Sequence, residues 1–387
     1  RRGSTMVNAP GGSTITLRGS SDLVPSSGAN WFYAGDVANS WLLFEGTGAA
    51  RGAGISTNTF GGLRVNLAGA GEVFRAPTLN LSGPLVVSGG VLRPIAASAV
   101  SAAGGVFQTG GVVDFSASTS ASLAMTGASA QTLSLLPGST LWNLVSAGTG
   151  PVKAASDLVL FGDFSVYAGT FSAGTGNLML AGSLLVSTGA YFDGQTSTVS
   201  LAGAAAGRSY ESVAVYGGAV FNGLSVSVAS AAFLTSATAA VLTDAVAGST
   251  LAFSPGVLLS VADLRLGAGG GAVMRIRSRT AGLPWSLRVT AVSSVTAAMV
   301  SDCDASSGQT VWADDGRSVD AGGNLNWDFA PNLVVLLPGE TFTPAVGPGK
   351  TGAPSVSTAG VVITATVLAV SSRFDLVWNA SGTATLA

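Results

Sequence analysis

Two stretches, LVLFGDFSVYAGTF at residues 158–171 and LMLAGSLLVSTGAY at 178–191, align without a gap, Leu158 falling on Leu178, and LNLSGPLVVSGGVL at 79–92 follows the same pattern. The common form is L-x-L-x-G-x-(L/F)-x-V-x-x-G-x-(aromatic or Leu). Gly83, Gly162 and Gly182 fall at one corner of the pattern, and Gly90, Gly169 and Gly189 at the next. Between them apolar residues alternate, as in Phe164 and Val166 or Leu184 and Val186, with the period of two of strands that bury one face. Short strands broken by regular glycines, recurring at about 20 residues, describe one coil of a solenoid, each coil pairing in parallel with its neighbours. A helical reading fails, because glycine and β-branched residues would each cost about 0.5–1 kcal/mol at position after position.

A longer repeat overlies the short one. The segments beginning at Thr59 (TFGGLRV), Thr140 (TLWNLV) and Val220 (VFNGLSV) resemble one another at almost equal spacing, each preceded by a turn of small residues. About four coils therefore form one duplicated unit. Continued from about residue 10 to 330, the pattern gives roughly 16 coils and, at ~4.8 Å per coil, a rod of roughly 75 Å.

The expected fold is all-β, a parallel β-helix followed by a short partial Ig-like β-sandwich segment. Residues 1–330 form the solenoid, with an N-terminal cap to about residue 45 and a closing acidic and aromatic segment over about 300–330. Residues 331–350, with Pro338-Gly339-Glu340, read as a linker, and 351–387 as β-strands too few for a complete sandwich.

Composition agrees with a repetitive scaffold: 54 glycines, 47% hydrophobic residues and only 9% charged ones in 387. Low charge with abundant aliphatics argues against disorder. A net charge of −2 gives no electrostatic footprint for nucleic acid. Between Arg93 and Lys153 the sole charged residue is Asp114, so a long flank offers little charge repulsion against association. No apolar run approaches the ~18 residues of a membrane span, and Val361 to Val370 reads as strand. The chain opens on Arg1 without a leader-like segment, which reads as a removed leader or a piece of a longer polypeptide.

The chemistry-bearing residues are few. With no histidine and a lone cysteine, Cys303, zinc sites and histidine-activated nucleophiles are excluded, and no G-x-S-x-G elbow is present. Asp302 with Asp304, and Asp314 with Asp315, are the best carboxylate pairs; two acids two apart on a strand would share a face, as a polysaccharide lyase or glycosidase requires. Their Ser/Gly-rich context reads instead as backbone-capping turns. The same acids give calcium a weak signal, without an EF-hand or G-G-x-G-x-D array. Arg275, Arg277 and Arg279 put three cations on one strand face, a solvated surface or an anionic contact. Trp31, Phe32, Tyr33 and Trp41 read as a hydrophobic cap ahead of a carbohydrate-stacking site. Gly347-Pro348-Gly349-Lys350-Thr351 lacks the earlier glycine of a phosphate loop and reads as linker. No catalytic, metal or cofactor residue is assigned.

The repeating glycine-cornered coil, the Phe-Asn-Gly-Leu-Ser-Val segment at 221–226 and the ending Gly323-Asn324-Leu325-Asn326-Trp327-Asp328-Phe329 resemble large secreted bacterial surface proteins of the right-handed β-helix kind, in which a similar Gly-Asn-x-x-Trp-x-Phe motif closes the solenoid. The stretch from Pro338 to Gly360 is similar to the start of the Ig-like repeats that follow it there. The resemblance implies a cell-surface or secreted location and an adhesive or structural role, and supplies no catalytic residue. The expected function is an extracellular structural subunit, not an enzyme, that self-associates through ends or flanks into a homopolymeric filament, sheath or layer. An adhesin stalk or glycan-binding surface protein is the alternative, with surface glycans as partner; a polysaccharide lyase or glycosidase ranks third.

Overall fold

The computed structural model describes residues 40–329 apart from 47–50, 53–58, 70–72, 77–78, 95–97, 117, 203, 206–207, 210–211, 268–271 and 316; beyond that span it describes only short strands, from Val7–Asn8 to Ala384–Leu386. Among the described residues there is no helix, and the chain is a parallel β-solenoid of about 11 turns of about 21 residues. Two compact units divide it, residues 1–224 and 225–387.

In the first unit each turn has three sides, which the chain visits in the order A, B, C. Side A holds Leu79–Leu81, Ala99–Ala102, Ser122–Met125, Asn143–Ser146, Phe164–Val166, Leu184–Val186 and Ser212–Tyr216, each paired in parallel with the next. Side B runs from Trp41–Gly46 through Gly62–Leu67 and Leu85–Gly89 to Tyr191–Asp193, and Thr14–Arg18 pairs with Trp41–Gly46 one turn earlier. Side C includes Val91–Pro94, Leu158–Leu160, Leu178–Leu180 and Thr198–Leu201. Inward positions of all three sides are mostly leucine, valine and phenylalanine, many of them fully buried. Each such side chain contributes about 1.5–3 kcal/mol on leaving water.

The turns at 158–171 and 178–191 stack in register, with Leu158 beside Leu178 and Phe164 beside Leu184. The similar stretch at 79–92 does not occupy the same sides. Its Leu79–Leu81 lies on side A and Leu85–Gly89 on side B, whereas Leu158–Leu160 lies on side C and Phe164–Val166 on side A. The longer repeat shows the same slip. Phe60 and Leu63 turn from side A to B, Leu141 and Leu144 from C to A, and Phe221 onward from B to C. Each step from one start point to the next therefore ends one side short of four turns. The duplicated unit is three and two-thirds turns, not four.

The expectation of 16 uniform coils is likewise corrected, because several turns carry extra chain. Leu144 pairs with Phe164, but Leu184 pairs with Val215, a turn about half as long again. The surplus holds a small antiparallel hairpin, Ala204–Ala205 with Arg208–Ser209. Where turns are shortest, asparagine and aspartate side-chain oxygens fix the spacing. Asn143 Oδ1 accepts the Asp163 N–H at 2.8 Å, Asp163 Oδ1 the Ser183 N–H at 2.8 Å, and Asp157 Oδ1 the Asn177 N–H at 2.7 Å. Each bond ties a corner to the same corner of the next turn.

The motif glycines do two different jobs. A Cβ on Gly83 would lie 1.9 Å from Gly61 O, and one on Gly182 2.4 Å from the Gly162 carbonyl, so this corner needs hydrogen for close stacking. Gly90, Gly169 and Gly189 instead have φ of 74°, 65° and 82°, the left-handed region.

The second unit keeps one short-strand side, Ser230–Phe233, Thr250–Phe253, Met274–Ser278, Ala298–Ser301 and Val319–Asp320. Its other two sides run together in long strands, Ala237–Asp244, Leu258–Leu266 and Trp285–Val295. These strands contain no glycine, so the corner is a bend within the strand. Phe233, Phe253 and Trp285 stack inside, with centroids 5.0 Å and 3.8 Å apart. Two three-stranded antiparallel sheets follow, Asn332–Leu336 with Ile363–Val367 and Phe374–Trp378, and Thr341–Phe342 with Val356–Thr358 and Ala384–Leu386. Among the described residues no helix is long and apolar enough to cross a membrane.

Candidate functional surfaces

The carboxylates singled out from the sequence cap backbone groups, Asp304 on its own turn, Asp302 on the turn before and Asp315 on both. Asp302 does not share a strand face with Asp304: the strand is Cys303–Asp304, and Asp302 precedes it at φ 55°. Asp302 Oδ1 accepts the Gly282 N–H at 3.2 Å. Asp304 accepts from the hydroxyl and the N–H of Ser306, and both hold its carboxyl below the usual range. Asp314 is buried. For Asp315 burial works against ionisation, yet the N–H of Ala297 at 2.7 Å and donors on Ser318 and Arg317 outweigh it and keep the pKa low. Among the described residues no three of His, Cys, Asp and Glu converge as a metal site. Cys303 is fully buried, and burial pushes its thiol pKa up. It is packing rather than a nucleophile.

The Gly323-to-Phe329 segment lies on the last solenoid turn. Asn324 Oδ1 accepts the Cys303 N–H at 3.1 Å while its Nδ2 donates to Val300 O at 2.8 Å. Asn326, at φ 60°, donates to Ala305 O at 3.0 Å. Trp327 and Phe329 stack at 5.6 Å. These asparagines satisfy backbone groups of the turn before them.

Arg275, Arg277 and Arg279 are exposed beside buried Met274, Ile276 and Ser278, so the alternation read from the sequence holds, but the strand ends at Ser278 and Arg279 lies just beyond it. Trp41 lies on side B over Gly62, where a Cβ would come within 2.9 Å of its ring. Trp31 and Phe32 lie outside the described residues, as do Gly347 to Thr351.

The column of side A in the outward phase carries no charge over eight rungs of the first unit: Thr59, Asn80, Ser101, Ala124, Val145, Ser165, Leu185 and Tyr216, of which Ser165 is itself buried. At ~4.8 Å per rung it is roughly 34 Å long. Around the edge, Asp114 is neutralised. Burial opposes its ionisation, but Ser116 and the Arg93 guanidinium, 2.7 Å away, prevail and its pKa is lowered.

Sequence reasoning missed three polar groups. Gln108 and Gln131 sit at inward strand positions, and each satisfies corner backbone: Gln108 bonds Gly111 O at 2.7 Å and the Leu136 N–H at 2.9 Å, Gln131 the Gly127 N–H at 2.9 Å and Ala102 O at 2.8 Å. Their signal was a polar residue in the apolar phase, in VFQ at 106–108 and QTLS at 131–134. The third, Asp244, is buried and accepts the Val246 N–H and the Ser249 hydroxyl, both at 2.9 Å. Burial pushes its pKa above the ordinary 3.8, the two donors acting in the opposite sense. The folded chain thus keeps this proton to a higher pH than the unfolded one. Stability from this group is present below 3.8 and is lost as pH rises through the folded value. Asp244→Asn is expected to unfold at higher urea than wild type at neutral pH and to show a flatter pH dependence. An unchanged slope of urea midpoint against pH would overturn this.

Compared with protein-family models, curated proteins and solved structures, the chain matches none of them. The fold and its surfaces define it as a parallel β-solenoid repeat protein.

Proposed function

We propose that the chain is an extracellular structural protein, a solenoid subunit that associates with copies of itself along its flanks into a surface filament, sheath or layer. The observation that carries this reading is the uncharged eight-rung column of side A, from Thr59 to Tyr216. Regular parallel rungs give a repeating relief, and two identical uncharged faces meet without like-charge repulsion. The absorption of Asp302, Asp304 and Asp315 into backbone capping supports a scaffold over a glycan-cleaving enzyme. The loose resemblance to secreted bacterial β-helix surface proteins supports the location.

Negative-stain electron microscopy of the purified chain is expected to show ordered filaments or sheets. The double variant Val145→Lys/Leu185→Lys, which places cations at two rungs of the column, is expected to give dispersed particles with an unaltered circular-dichroism spectrum. Dispersed particles from the wild type at high concentration would sink the proposal.

A further inference from the structure

Five of the chain's 17 cations fall within residues 265–288: Arg265, Arg275, Arg277, Arg279 and Arg288. Arg265 pairs with Asp263. Arg275, Arg277 and Arg279 have no carboxylate within ion-pair distance among the described residues. The acids of nearby turns make no ion pair with them: Asp302 accepts the Gly282 N–H, Asp315 the Ala297 N–H and Asp320 the Gly322 N–H. Alternation sets Arg275 and Arg277 on one face of the strand Met274–Ser278, ~6.6 Å apart, and Arg279 follows, exposed, just beyond the strand's end. The strand residues on either side of Arg275 and Arg277 are uncharged. Arg275 stands between Thr250 and Met299, and Arg277 between Ala252 and Ser301. Met299 is followed in the next rung by Val319, and both are exposed, at 40% and 47%.

A file of permanent cations beside an apolar strip asks for a ligand with regularly spaced anions and C–H faces. Guanidinium forks match carboxylates in two-point contact. Duplex nucleic acid fits poorly, since a chain of net charge −2 lacks the broad basic face that a phosphate backbone needs. An anionic membrane draws on clusters of about 4–8 cations, more than this row supplies. We infer that the face built from Arg275, Arg277, Arg279, Met299 and Val319 binds a linear carboxylated polysaccharide, a polyuronate lying along the arginine row. This needs no self-assembly and stands or falls apart from the filament.

The test is titration of the full-length chain with polygalacturonate, with neutral dextran, duplex DNA and phosphatidylserine vesicles as comparators. Saturable binding to polygalacturonate that weakens with salt is expected, with none to dextran. The variant Arg275→Ser/Arg277→Ser/Arg279→Ser should bind on the order of tenfold more weakly or worse, with a flatter salt dependence. Met299→Ser/Val319→Ser should lose affinity without changing the salt dependence. Arg64→Ser/Lys153→Ser, exposed cations of the first unit, should bind as wild type. Absence of polygalacturonate binding at low salt, wild-type affinity in the triple variant, or tighter binding to DNA or vesicles would overturn the inference.

Discussion

Phe192→Ala is expected to destabilise the first unit by about 3–5 kcal/mol, the range for removing a fully buried aromatic ring. Phe192 is 0% exposed and touches three other rings. Phe171 stacks on it at 6.2 Å and 6°, Phe164 meets it edge-on at 6.0 Å, and Phe221 lies 5.5 Å away. The stack crosses successive turns, so deleting its middle ring leaves a void that neighbouring rungs, held by parallel ladders, cannot collapse to fill. Tyr191, the preceding residue on the same strand, points outward and is 44% exposed. Tyr191→Ala should stay within about 1 kcal/mol. Urea unfolding followed by circular dichroism checks the pair. Similar midpoints for the two variants would mean that the ring stack is not what ties these turns together.

The two corner glycines of the turn at 178–191 are expected to respond oppositely to asparagine. At Gly182 the obstacle is space: any Cβ meets the Gly162 backbone at 2.4 Å, and backbone cannot move aside as a side chain can. Gly182→Ala and Gly182→Asn should both cost the upper end of about 1–3 kcal/mol or more, since overpacking has no local relief. At Gly189 the obstacle is conformation. No atom lies within 4 Å of its Cβ position, but φ is 82°. Gly189→Ala should cost about 1–2 kcal/mol, and Gly189→Asn distinctly less, because asparagine tolerates the left-handed region. Thermal melts of the four variants decide it. Equal tolerance of asparagine at both positions would dissolve the distinction.

The solenoid was legible because its cause is local. Alternation at Phe164 and Val166, glycine at 162 and 169, and the return of that glycine pair at 182 and 189 specify a strand, its buried face and its corners. The shared face of Arg275 and Arg277 followed from the same period. The capping role of Asp304 followed from its Ser/Gly-rich turn. Phase was not legible. A motif that fits one corner of a three-sided coil fits all three, and only stacking reveals that 79–92 lies one side away from 158–171. Turn count failed for a related reason, since an insertion such as the hairpin at 204–209 adds residues without adding a rung.

The pairing of Asp302 with Asp304 failed because strand periodicity was applied across a residue at φ 55°, where it does not exist. Gln108 and Gln131 broke the apolar phase in the sequence, but their partners Leu136 and Ala102 lie about a turn or more away and were brought alongside only by stacking. Sequence alone determined that this chain is a parallel solenoid with an almost uncharged flank, because strand period, corner glycines and composition act within a single turn. Tertiary structure decided which side each segment occupies, which acids are consumed by backbone caps and which cations remain free, because those depend on what the neighbouring turns, of unequal length, bring alongside.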